Sequence, residues 1–250
     1  MGGVFREALR PSPVPIMNNR LAATAAEWGL ALNHTQLDQF ATYADALRRW
    51  NEQVNLTAIT DEAQIVTRHF LDSLRCALSW GVDPRRLVDV GAGAGFPGLP
   101  LKILRPELAL TLVESVEKKA AFLRHVVTML GLREVEIVTA RAEAIGRDAA
   151  YREQYDVAVA RAVAELRVLS EYCLPLCRIG GRFLAPKGTR IEAEVRAAHA
   201  AIATLGGRIV ALEEVHLPGM EPRMLVVVEK VEATPLRYPR AIGVPSKRPL

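Results

Sequence analysis

The sequence predicts an α/β protein, a doubly wound and mostly parallel sheet preceded by a helical subdomain. Three observations carry this reading. A short apolar strand, Leu87-Val88-Asp89-Val90, runs into glycines at alternate positions, Gly91, Gly93 and Gly95, and then into a helical apolar recurrence from Leu99 to Leu104. Beyond it, short apolar runs alternate with helical patterns as far as residue 205. Before it, residues 18–82 show only the helical period.

The elements follow in order. Residues 1–17, with Pro11, Pro13 and Pro15 and no periodicity, read as a flexible tail. Helices are expected over 18–30 and 34–50, the second with Leu37, Phe40, Ala44 and Leu47 on one face and Asn33 or Thr35 as its cap. Asn51 to Thr60 is a polar connector, and Asp61 caps a third helix that carries Val66, Phe70 and Leu74 on one face. A sheet domain spans 83–232. Its later strands are expected at 108–114, 135–139, 155–160 and 180–185, with helices at 116–130, 163–176 and 191–205 between them. The Gly180-Gly181 pair reads as a turn into the fifth strand. Two last strands, 208–216 and 223–231, are joined by Leu217-Pro218-Gly219-Met220 and form an antiparallel pair. Residues 233–250 carry Arg237, Arg240, Lys247 and Arg248 with no acid, and read as a basic tail, either solvated or an arm for phosphates.

Composition narrows the function classes. The chain has 250 residues, 50% of them apolar, enough for a sizeable core. No apolar run is long enough to span a membrane, and Arg6, Glu7 and Arg10 break any signal-peptide pattern, so a cytoplasmic protein is expected. Cys76, Cys173 and Cys177 have neither zinc-site spacing nor even number; they read as reduced core thiols, and no metal site is expected. The net charge of +4 permits an anionic partner without requiring one.

A strand followed by a glycine turn and a helix places a nucleotide-type ligand outside the strand's carboxyl end. The spacing here is G-x-G-x-G, with Phe96-Pro97 where a dinucleotide's pyrophosphate would need an open helix N-terminus. Asp89, two residues ahead of Gly91, repels a phosphate but suits an ammonium. S-adenosylmethionine (SAM), which carries an ammonium and a sulfonium and no phosphate, is favoured over NAD. Glu114, at the end of the second strand, is placed to accept from both ribose hydroxyls. Ser115 and Val116 would border the adenine on one side, with Ala142 and Glu143 on the other. Arg161 follows the fourth strand, at the end that faces the reacting methyl in SAM enzymes of this architecture. Ala160-Arg161-Ala162-Val163 lacks the Asn/Asp-Pro-Pro-aromatic run of adenine amine methylation, and no cysteine follows a proline as cytosine C5 chemistry requires. What remains is a nucleophile needing neither base nor covalent intermediate. Guanine N7 is such an atom, and the enzyme's task is then positioning. His69 and Asp72 lie three apart on the third helix and, with Arg68, either line the cleft or serve a packing seam.

These residues bring a resemblance with them. Trp50-Asn51, Asn55-Leu56-Thr57, Arg68-His69, Asp72-Ser73, the run Asp89 to Gly98, Arg105-Pro106-Glu107, Glu114-Ser115, Lys118-Lys119, Arg141-Ala142-Glu143, Arg161-Ala162, Lys187-Gly188 and Tyr238-Pro239-Arg240 with Gly243, Pro245 and Lys247 together resemble the ribosomal RNA small subunit methyltransferase G family, also called glucose-inhibited division protein B. The likeness covers residues 20–250. It implies a Rossmann-like class I SAM-dependent methyltransferase fold with an antiparallel last strand, and an enzyme that methylates N7 of one guanine in the decoding-region loop of 16S rRNA, free or within the 30S particle. It implies cofactor contacts from Gly91, Phe96, Glu114 to Val116, Ala142, Glu143 and Arg161; Asp89, Gly93 and Gly95 of the turn are expected to bind the cofactor as well, and Arg161, with His69, is the candidate catalytic group, acting by orientation with no general base expected. It implies RNA contacts from Lys187, Arg240 and Lys247, and it needs no obligate protein partner. The alternatives are a SAM methyltransferase acting on another substrate and a non-catalytic RNA-binding or assembly factor with the same fold.

Overall fold

The structure is a computed structural model that describes residues 13–250, with side chains from residue 18 onward. The expected tail therefore lies outside the described residues up to residue 12, while 13–17 open the first helix. The N-terminal layer contains α1 (Pro13–Glu27), α2 (His34–Asn51) and a continuous helical segment. That segment begins as α3 (Glu62–Ile65), widens into a π-helical turn (Val66–Leu71), returns as α4 (Asp72–Leu74) and tightens into a 3₁₀ turn (Arg75–Leu78). Then follow β1 (Arg86–Val90), α5 (Gly98–Leu104), β2 (Ala109–Glu114), α6 (Glu117–Met129), β3 (Val135–Thr139), α7 (Ala142–Ile145), β4 (Tyr155–Val159), α8 (Leu166–Cys173), β5 (Cys177–Lys187), α9 (Glu192–Thr204), β6 (Gly207–Val215), β7 (Arg223–Lys230) and α10 (Val244–Lys247).

The seven strands form one sheet in the order β3-β2-β1-β4-β5-β7-β6. The first five are parallel; β7 inserts between β5 and β6 and runs antiparallel to both. Side-chain alternation divides the core into two. Leu87, Leu110, Leu112, Val157 and Val159 face α1, α2, the π segment, α5 and α6. Val88, Val90, Val113, Ala158 and Phe183 face α8 and α9. The helices before β1 thus share one core with one face of the sheet. Polar seams reinforce that docking. Asn33 caps α2 in a reciprocal box with Gln36, and the Gln36 amide donates onward to the Ile103 and Leu104 carbonyls (2.8 and 3.1 Å), which the end of α5 leaves unsatisfied.

Three expectations change. The fifth strand begins at Cys177, and Gly180-Gly181 is a bulge inside it rather than a turn before it. A Cβ on Gly181 would lie 2.8 Å from the Asp156 carbonyl oxygen, so only glycine lets the strands close there. The helix expected from Val163 starts at Leu166, because residues 161–165 form a loop that turns through Ala162 at φ 58°. The basic tail is folded onto the sheet domain. Arg152 donates to the carbonyls of Thr234 (2.6 Å) and Tyr238 (2.8 Å), Arg147 to that of Pro239 (2.7 Å), and Glu143 accepts from the Gly243 N–H (2.8 Å).

This packing engages two of the expected RNA contacts with partners inside the molecule. Arg240 makes a two-pronged pair with Glu171 (2.9 and 2.6 Å), whose side chain is 1% exposed. Lys187 donates to Glu194 (2.7 Å) and to the Ala164 carbonyl (2.8 Å), where it fastens the loop after β4. Both charges are used inside the molecule. Lys247 stays exposed.

Among the described residues, no helix is long and apolar enough to cross a membrane, and no group of metal-ligating side chains is present. Glu171→Ala should lower the free energy of unfolding by about 2 kcal/mol, as for other hydrogen bonds to charged groups. It should also make residues 233–250 the first site of proteolysis; denaturant melts and limited digestion check this.

Candidate active site

The carboxyl ends of β1, β2 and β4 open onto two adjoining cavities. The larger, about 460 Å³, is lined by the glycine turn, Phe96, Glu114, Ser115, Val116, His69, Arg161 and the loop around Leu56 and Thr57. The smaller, about 220 Å³, is lined by Ala142, Glu143, Tyr172 and Ser246. Gly91, Ser115 and Val163 border both, so the two form one elongated cleft divided by a side chain. At Gly91, φ is 73°, and a Cβ would lie 2.5 Å from Val163. The turn thus requires glycine twice over, for its backbone and for the close approach of the loop after β4.

Glu114 is the acidic group of the larger cavity. It is 5% exposed, and each oxygen accepts one backbone N–H, Oε2 from Gly93 (2.9 Å) and Oε1 from Val116 (2.8 Å). These bonds fix the carboxylate at the junction of the two strand ends and leave each oxygen with acceptor capacity toward the cavity.

Arg161 is the hub of the opposite wall. Its side chain is 10% exposed. Nη1 donates to Asp72 Oδ2 (2.8 Å) and to the Arg68 carbonyl (2.9 Å), and Nη2 to His69 Nδ1 (3.1 Å). The guanidinium also lies 5.1 Å from the centre of the Phe96 ring. Phe96 in turn stacks on His69 (4.3 Å) and Tyr43 (5.3 Å), and the Tyr43 hydroxyl donates to the Ala94 carbonyl. The π-helical turn carries His69 and leads directly to Asp72, so one widened turn supplies two partners to one arginine. Burial, helped by the Arg161 charge, pushes the His69 pKa down to about 3. The ring is therefore neutral across the physiological range.

The structure brings together Gly91, Gly93, Phe96, Glu114, Ser115, Val116, Arg161 and His69, with Ala142 and Glu143 at the far end. Two expected contacts lie elsewhere. Asp89 is fully buried beneath the turn, because strand alternation aims it at α5; Oδ2 accepts from the Gly98 N–H (2.8 Å) and Oδ1 has no partner. Burial raises its pKa to about 7. It braces the turn and does not line the cleft. Gly95 turns inward, where a Cβ would lie 2.4 Å from Leu99 and 2.6 Å from the Tyr43 hydroxyl. Glu143 borders the smaller cavity, but its carboxylate is engaged by the tail.

Leu56, Thr57 and Val163 had no assigned place in the cleft. The run from Asn51 to Thr60 reads as a connector by polarity, yet Asn51 Oδ1 accepts from the Leu56 and Thr57 N–H groups (2.9 Å each) and folds it into a wall. An asparagine closing α2, followed by an Asn-Leu-Thr run, is the local signal for this turn.

His69 generates a pH prediction. An unfolded histidine takes up its proton near pH 6.5, whereas the folded one does so only near 3. Its contribution to stability is complete above 6.5 and is lost as pH falls toward 3. The His69 ring resonances should not titrate between pH 8 and 5 in NMR spectra; a midpoint near 6.5 would contradict the buried neutral ring.

Residues 36–223 match the family described as rRNA small subunit methyltransferase G. The chain is similar to proteins named ribosomal RNA small subunit methyltransferase G from Roseiflexus castenholzii, with 65% identity over 93% of this chain and 99% of that one, and from Chloroflexus aggregans, with 54% identity over 92% and 97%. Among solved structures, cofactor-bound Rv0187 from MTB shares the fold with a TM-score of 0.57 at 18% identity, covering 89% of this chain and 99% of that one. TrmN from Thermus thermophilus does so with a TM-score of 0.50 at 21% identity, covering 66% and 53%. With that identity spread over nearly its whole length, and with the glycine turn, Glu114 and Arg161 assembled around one cleft, the chain belongs to the ribosomal RNA small subunit methyltransferase G family.

Proposed function

We propose that this protein transfers the methyl group of SAM to N7 of a guanine in the decoding-region loop of 16S rRNA. The observation that carries the reading is the pairing of a rigid, open-sided carboxylate, Glu114, with a wall that holds a donor-only arginine and no free base. SAM supplies an electrophilic methyl carbon on a sulfonium when bound. Glu114, already held by two backbone N–H groups, accepts from the ribose hydroxyls with its remaining lone pairs. Ser115, Ala142 and Tyr172 border the smaller cavity and suit the adenine. The glycine turn gives the backbone close approach, which a Cβ at Gly91 would block.

The Arg161 end has the chemistry of a positioning site. Arginine does not take up a proton at neutral pH. His69 Nδ1 is occupied by Arg161, and Asp72 is tied to Arg161 and lies 3.6 Å from Arg223 Nε. No group on this wall is free to act as a general base, which suits a nucleophile whose lone pair is already available, such as guanine N7. The His69–Phe96–Tyr43 stack backs the same wall with aromatic rings, which hold His69 and Arg161 in place as preorganised groups.

An RNA chain needs phosphate contacts near the base. Arg68 and Arg223 line an open groove of about 620 Å³ with Gly188, Thr189 and Gly219, next to the Arg161 wall. With Lys187 and Arg240 engaged internally, this groove and Lys247 are the better backbone contacts, and an RNA within the 30S particle or free would lie along it.

Two outcomes test the reading. Glu114→Ala should weaken SAM binding about 10- to 100-fold by calorimetry, the usual range for losing a charged hydrogen-bond partner; an unchanged dissociation constant removes the ribose role. Arg68→Ala should reduce the salt slope of RNA binding by about one unit while sparing SAM; an identical slope would place the RNA elsewhere.

A further inference from the structure

The connector between α2 and α3 holds one side chain whose hydrogen bonds can be fully accounted for. Arg161 has donors only, so at 3.1 Å from His69 Nδ1 that nitrogen is the acceptor. The neutral ring then carries its proton on Nε2, which donates to Thr57 Oγ1 at 2.9 Å. The Ile59 N–H donates to the same oxygen at 3.0 Å. A hydroxyl oxygen has two lone pairs, and both are now taken. Thr57 Oγ1 donates to no protein acceptor among the described residues, and the residue lines the larger cavity. The arrangement converts an ambivalent hydroxyl into a one-way donor facing the cleft.

The location selects its acceptor. Glu114 and Val116 mark the ribose end of the cavity. Thr57 belongs to the other end, since it is bonded to His69 and His69 to Arg161. We infer that the Thr57 hydroxyl donates to O6 of the target guanine and so distinguishes guanine from adenine at the methylated position. O6 is a bare acceptor beside N7, whereas adenine presents an amino donor at the same place. A donor with no lone pair left cannot accept from that amino group, and the mismatch leaves two donors opposed. Asp72, Arg161, His69 and Thr57 thus form a relay of orientation: each fixes which way the next one points, and no proton moves along it.

This inference rests on guanine methylation as proposed above, and the experiment separates the two. Wild-type, Thr57→Val and Thr57→Ser proteins are assayed on small-subunit rRNA carrying either guanine or 2-aminopurine at the target position, with SAM affinity measured alongside by calorimetry. The 2-aminopurine base keeps N7 and lacks O6. On the guanine substrate, Thr57→Val should lose about tenfold in kcat/KM, the size of a lost neutral hydrogen bond with its partner left unpaired. Thr57→Ser should restore most of that loss. On 2-aminopurine the wild type should fall to the level of the valine variant, and the valine substitution should cost nothing further. SAM affinity should be the same in all three. An equal loss on both substrates would assign Thr57 a purely structural role, and a weakened SAM affinity would assign its hydroxyl to the cofactor; either result overturns the inference. A wild type that binds SAM but methylates neither RNA would overturn the functional reading itself.

Discussion

A single guanidinium, nine-tenths buried, holds the two halves of the site in register. Arg161 leaves the end of β4 and is met by Asp72, His69 and the Arg68 carbonyl, all from the helical segment before β1. A charge at this depth costs free energy unless it is matched by an opposite charge and its donors are satisfied. Asp72, 4% exposed on its side chain, supplies the charge, and the two neutral acceptors satisfy the remaining geometry. The helical layer therefore cannot slide along the sheet without stranding the arginine. That fixed relation is what turns the surface between the two layers into a shaped cleft.

The opposite end of the cleft is shut by the chain's own C-terminus. Glu143 and Glu171, both buried, take the Gly243 N–H and the Arg240 side chain, and Ser246 joins the lining of the smaller cavity. A run rich in proline and arginine thereby becomes part of the cleft's wall. One of its charges, Arg240, is matched by the buried Glu171, while Glu143 is met by a neutral backbone N–H. The glycine turn sits between these two fixed ends. Asp89 braces it from below through the Gly98 N–H, and Glu114 from the side through the Gly93 N–H. Two carboxylates organise one turn, but only Glu114 faces the cleft.

Much of this was legible in the sequence. Short apolar runs alternating with helical recurrences pointed to the doubly wound sheet and its antiparallel end strand, because buried parallel strands are short apolar runs that helices interrupt. Glu114, Ser115 and Arg161 were legible because residues just past the carboxyl ends of parallel strands line the crevice in such folds. What sequence spacing could not convey was direction. Asp89 looked like a ligand group because it precedes the glycines, yet strand alternation points it under the turn. Arg240 and Lys187 looked like free charges because their partners Glu171 and Glu194 lie 69 and 7 residues away, and pairing at such distances leaves no local pattern. The π-helical turn was equally hidden, since no residue type marks a helix that widens by one residue. Thr57 was obscured for a simpler reason: a polar connector reads as solvent-facing until Asn51 is seen to fold it back.

In the proposed binding mode the cleft holds one elongated nucleoside ligand, its ribose on Glu114 and its reactive end toward Arg161. A crystal structure of the full chain with SAM tests this most directly. Both ribose hydroxyls should lie within hydrogen-bonding distance of the Glu114 carboxylate, the adenine in the cavity bordered by Ala142 and Tyr172, and the sulfonium methyl facing the wall of Arg161, His69 and Thr57. SAM bound in the reverse orientation, or in the groove beside Arg68 with the glycine turn left uncovered, would contradict it.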